Sequence, residues 1–125
     1  MKKILILIAA APLMLFLTSL TVNKSDQTAG TAQKPIPADV MKIVDKSCAA
    51  CHKDPGMKMA QGPLNLSGWD KYTAEKQAAK ANAMCNLMTK GKMPPKKYQA
   101  NNPGAVPTAD DIKTVCSWAS SLKAK

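Results

Sequence analysis

The 125-residue chain contains no arginine, a single histidine and a single phenylalanine. Each absence removes a class of function. Eighteen lysines face eight acidic residues, for a formal net charge of +10. Yet the planar guanidinium fork, the preferred reader of base edges and phosphates, is missing. Nucleic acid is therefore not the expected partner of this basic chain. Aromatics make up only 4% of the residues, and Phe16 lies in the apolar N-terminal segment. No run alternates between apolar and polar residues, which excludes half-buried strands. A single imidazole leaves no second histidine to share a metal or to act as acid or base beside the first.

That one imidazole stands at a telling place. Cys48-Ala49-Ala50-Cys51-His52 is the attachment pattern of a c-type haem. Two intervening residues let both sulfurs reach one edge of a porphyrin, and the adjacent ring lies over the same face. A thioredoxin-like thiol pair or half a zinc site are the competing readings. A four-cysteine zinc site with Cys85 and Cys116 would leave the adjacency of His52 unexplained.

The N-terminus reads as an export signal. Lys2 and Lys3 precede an apolar run from Ile4 to Leu17, the pattern of a basic n-region and an h-region. Residues 1–22 are expected to form a signal peptide, or an uncleaved anchor if the apolar stretch spans a bilayer. Residues 23–37, rich in Thr, Ala, Gln and Pro, read as a flexible linker. The folded domain is expected over 38–125. An extracytoplasmic, periplasmic location follows, and such compartments tolerate disulfides. With roughly 90 residues and few aromatics, the domain struggles to build a core from side chains alone. A buried porphyrin would supply a large apolar plate.

Helical spacing dominates that domain. Val40, Ile43 and Val44 share a face that runs into Cys48–His52, with Pro55-Gly56 as its stop. Residues 57–70 read as a loop. Ala74, Ala78, Ala81, Cys85 and Met88 form a second stripe, with Gly91 as C-cap. Residues 93–107 hold four prolines and read as irregular. Thr108 with Asp110 and Asp111 starts a last helix carrying Ile112, Val115, Cys116, Ala119 and Leu122. The fold class is all-α. Cys85 and Cys116 lie on two of these stripes, either bridged or as separate buried thiols.

A second iron ligand must come from the other face. Met93 stands in Gly91-Lys92-Met93-Pro94-Pro95, where prolines stiffen the loop and remove N–H donors. Met84 and Met88, at i and i+4 on a helix, read as core. Met57 and Met59 follow His52 too closely to cross to the other face.

Cys48–His52, followed by Met93-Pro94-Pro95-Lys96-Lys97-Tyr98 and a C-terminal helix, resembles the small single-haem cytochromes c. More narrowly, it is similar to the bacterial haem-binding domain proteins of that class. The resemblance implies a cytochrome c-like fold, three to four helices around one covalent haem c. It implies His52 and Met93 as axial ligands, and a Met/His pair raises the iron's reduction potential. It also assigns the Pro63 carbonyl, in Gly62-Pro63-Leu64, as the acceptor that orients His52. Trp69, Tyr72 and Tyr98 are candidates for the haem propionates or for packing.

The function expected is single-electron transfer by a monomer, not catalysis. Lys90, Lys92, Lys96 and Lys97 flank Met93 and would steer an acidic redox protein to it. A membrane role is expected only through an uncleaved anchor. A peroxidase-like enzyme or a small-gas haem sensor are the alternatives. Both need a labile sixth ligand, and the chain offers no obvious distal His or Arg and no output domain.

Overall fold

The computed structural model describes residues 33–122. The expected leader and most of the expected linker lie outside the described residues. No helix among the described residues is long and apolar enough to cross a membrane.

Those residues form six helices and no strand. Three are long: α1 (Ala38–Ser47), α4 (Ala74–Thr89) and α6 (Ala109–Ser121). Three are short: α2 (Ala49–His52), α3 (Lys58–Gln61) and α5 (Lys96–Asn101). Two 3-10 turns, Trp69–Lys71 and Pro103–Ala105, complete the path. The all-α class therefore holds. Two stretches expected to be irregular carry short helices of their own, α3 and α5. Neither has a strong apolar period, because both are held by turns rather than by a buried stripe.

The long helices form for local reasons. Pro37, with φ −60°, leads into α1, where Val40, Ile43, Val44 and Ser47 are buried at 3- and 4-residue spacing. Thr73 caps α4 by accepting the Lys76 amide. Thr108 and Asp111 form a reciprocal capping box at the start of α6, which satisfies two otherwise orphan donors.

At its C-terminus α4 closes with a Schellman arrangement. Gly91, at φ +60°, is the one residue among those described with a left-handed backbone. Its amide donates to the Met88 carbonyl, and that of Lys92 to Leu87. The reversal sends Lys92 and Met93 back along the helix, and the Met93 amide also donates to Leu87 at 3.3 Å.

Helices α4 and α6 share the most extensive contact, and α1 packs on α6. Val44, Ala81 and Val115 are fully buried where they meet. Small residues there, Ala81 and Ala119, let the backbones approach closely. Cys85 and Cys116 take advantage of that approach and are bridged, with Cα atoms 4.8 Å apart. Trp69 and Trp118 pack at 5.4 Å between ring centres, filling the end of the core.

One buried polar side chain organises the N-terminal edge. Gln77 is 2% exposed, yet both ends of its amide are satisfied. It accepts the Lys34 amide at 2.8 Å and donates to the Trp69 carbonyl at 3.1 Å. Trp69 Nε1 donates back to the Lys34 carbonyl. The chain is thus tied to the domain by Lys34, inside the stretch expected to be linker.

Candidate functional site

The cleft is built on a helix break. Cys48 interrupts the first helix with φ −123° and ψ −33°, and the chain restarts as α2. The break turns Cys48, Cys51 and His52 toward one cavity instead of spreading them around a single helix. Both thiols are free. Burial pushes the Cys48 thiol up to about 11, and the neighbouring Cys51 adds to the shift. Cys48 therefore stays protonated at neutral pH.

Gly56 closes the turn behind the histidine. Its amide donates to the Lys53 carbonyl, and the Met57 amide donates to Cys51. A Cβ at Gly56 would lie 2.5 Å from the Lys53 carbonyl oxygen and 2.8 Å from that of Cys51. Only glycine fits that approach.

His52 is held from the side by the following loop. Its Nδ1 lies 2.9 Å from the Leu64 carbonyl oxygen. A carbonyl can only accept, so Nδ1 carries the proton, and in the neutral imidazole that leaves the lone pair on Nε2. The expectation that Pro63 would supply this acceptor is corrected. The Pro63 carbonyl takes a hydrogen bond from Lys80 Nζ instead. The Leu66 amide donates to the His52 carbonyl at 2.8 Å. Leu64 and Leu66, two residues apart, face His52 together, and the carbonyl before them faces away. Pro63 still lines the cleft.

The cavity these residues border has a volume of about 260 Å³. Cys48, Cys51 and His52 border it together with Met84, Leu87 and Met88 of α4, the Met93-Pro94-Pro95 loop and residues of the 63–64 loop. The lining is mostly apolar. Met84 and Met88 are buried in the core as well as bordering the cleft, whereas Met93 is 38% exposed on its own loop. Met57 and Met59 are 58% and 88% exposed and lie off the cleft. The Met41 sulfur receives Lys53 Nζ at 3.3 Å.

Of the aromatic candidates only Tyr98 borders the cleft. Trp69 is committed to Lys34, and the Tyr72 hydroxyl accepts the Asn65 amide at 2.8 Å. Spacing in the sequence does not separate these roles, because each depends on where the 62–72 loop folds. Two polar cleft residues are not picked out by the sequence. Ser47 is buried with a hydroxyl that has no hydrogen-bond partner, and Lys80 is the one lysine in the lining. Ser47 was hidden inside an apolar stripe. Lys80 sits in an Ala-rich helix among many surface lysines.

A family model described as a haem-binding domain matches residues 54–121, more than half of the chain. The chain belongs to the haem-binding domain family. The match spans the His52-orienting loop, α4, the Met93 loop and α6, and begins just after Cys48–His52. No curated protein and no solved structure matches the chain.

The residues of this haem-binding domain fit the group its family name implies. Two free thiols and a directed imidazole nitrogen border a mostly apolar cleft. Ser47 borders the same cleft, and its buried hydroxyl has no hydrogen-bond partner. Basic charge gathers on the stretch of chain that carries Met93. No Asp or Glu occurs between Glu75 and Asp110, while Lys90, Lys92, Lys96 and Lys97 are all exposed there.

Proposed function

We propose that this domain is an extracytoplasmic electron carrier with one covalent c-type haem. The observation that carries the reading is the convergence of Cys48, Cys51, His52 and Met93 on one apolar cleft. Cys48 and Cys51 would hold the group through two thioethers, and His52 Nε2 and the Met93 sulfur would bind the iron. A haem held there supplies a one-electron ferric/ferrous couple.

The protein's own part is positional. The Leu64 carbonyl fixes the tautomer and plane of His52 and makes its Nε2 a better donor. The Schellman turn at Gly91 aims the Met93 loop at the cleft without help from a helix. The mostly apolar lining limits water, which favours a high potential together with the thioether ligand. The N-terminal segment is proposed to export the chain, as signal peptide or anchor.

Lys90, Lys92, Lys96 and Lys97 form the proposed docking face for an acidic redox protein. Neutralising Lys96 and Lys97 to Gln should slow electron transfer to such a partner about tenfold at low salt. The difference should vanish at high salt. Equal rates at low salt would refute the docking face.

Absorption spectra of the purified protein, oxidised and reduced, test the cofactor and its ligands together. Wild type should show a low-spin c-type spectrum and resist carbon monoxide when reduced. Met93→Ala should become high-spin and bind carbon monoxide. Ready binding by the wild type would favour the peroxidase-like or gas-sensing alternative.

A further inference from the structure

Lys80 stands in the cleft for reasons its neighbours make explicit. Its ammonium donates to the Pro63 carbonyl and lies 5.8 Å from the centre of the Tyr72 ring. Tyr72 is itself pinned, since its hydroxyl accepts the Asn65 amide. The loop that orients His52 therefore also fixes Lys80.

This ammonium has no anionic partner among the described residues of the protein. Lys80 is half-buried and borders a mostly apolar cleft, where a bound anion would find it as a counter-charge. Among the described residues the ion pairs are Lys46–Asp111 and Lys53–Asp45, and neither involves Lys80. No carboxylate borders the cleft. The Pro63 carbonyl and the tyrosine ring use part of the ammonium's capacity. It has three donors, of which Pro63 takes one.

We propose that Lys80 is the cationic anchor for a propionate carboxylate of the bound haem. The inference rests on the haem reading above and adds to it a charged contact within the cleft. A haem carries two carboxylates, and this chain has no arginine with which to meet them. Lys80 is the one cleft residue with a permanent positive charge. It is a positioning residue, because it acts on the carboxylate edge and not on the iron.

Its charge also has a direction of effect. A cation beside the haem disfavours the more positive ferric state. Removing it leaves a propionate unpaired as well, which acts in the same direction. The midpoint potential of the protein should therefore fall when the charge at position 80 is lost.

The test compares purified holoprotein variants by redox titration. Lys80→Met keeps the apolar stem that packs on Tyr72 and removes only the charge. Lys80→Arg keeps the charge. Lys76→Met, one turn earlier on α4, is the control, because Lys76 is exposed and away from the cleft. The potential should drop in Lys80→Met and hold near the wild-type value in Lys80→Arg and Lys76→Met. If Lys80→Met folds as a helical protein but does not retain haem, while Lys80→Arg does, the anchor is equally supported. An unchanged potential in Lys80→Met, or an equal fall in Lys76→Met, overturns the anchor and leaves the haem reading standing. A wild-type protein that carries no haem overturns the reading beneath it.

Discussion

His52 and Leu64 are joined side chain to backbone, Nδ1 to carbonyl oxygen, at 2.9 Å. Two residues further on, the Leu66 amide closes on the backbone of the same histidine. The pair of bonds fixes both the ring and the peptide that carries it. An imidazole so held would lose little entropy if it bound a metal, which is the physical meaning of a preformed site.

The turn behind His52 should be intolerant of any side chain. Gly56→Ala places a methyl against two backbone carbonyls that cannot rotate away. Thermal or denaturant unfolding should show a loss of about 1–3 kcal/mol. If the proposed covalent haem is present, its content, read by mass spectrometry, should fall with it. Gly104→Ala, with nothing within 4 Å of the added carbon, should be neutral.

The bridge between Cys85 and Cys116 closes a sequence separation of 31 residues. Replacing both with serine should lower stability by about 3–4 kcal/mol in the chain-entropy picture. Urea unfolding of the variant beside wild type measures it. Helices α4 and α6 should persist, since Ala81, Val115 and Ala119 bury the seam between them independently.

Acid should loosen the junction of α1 and α6. The Lys46 ammonium, and then the Thr108 amide, hold Asp111 below its ordinary value of 3.8. A depressed carboxyl stabilises the fold above its unfolded value and loses that contribution as pH falls through the folded value. Stability measured from pH 6 down through the acid range should therefore decline less steeply in Asp111→Asn than in wild type.

In the haem-free protein, Cys48 should react slowly with alkylating reagents. A thiol near 11 rather than 9.0 carries about a hundredfold less thiolate at pH 8, and the thiolate is the reactive form. Iodoacetamide labelling followed by peptide mapping should show Cys48 modification rising steeply between pH 8 and pH 11. Rapid labelling at pH 8 would show that the thiol is not shielded.

The helices were readable from residue spacing alone. Val40, Ile43 and Val44 repeat at the helical period, and Thr108 with Asp111 announces its own cap; both are local effects that need no partner elsewhere in the chain. The same holds for Gly91. Cys48–His52 is local too, since its chemistry is written within five consecutive residues. The helix break at Cys48 and the short helices α3 and α5 were not readable, because turns and neighbouring elements hold them.

What the tertiary structure alone decided is who faces whom across the cleft. That the Leu64 carbonyl and not Pro63 meets His52 depends on how a loop lies against a helix twelve residues away. That Gln77 reaches back to Lys34, and that Lys80 turns inward while Lys76 stays in solvent, depends on the path of that loop around α4. Periodicity records which residues share a face of one element. It carries no information on the rotation and distance of the next, which are settled only when the buried surfaces close together.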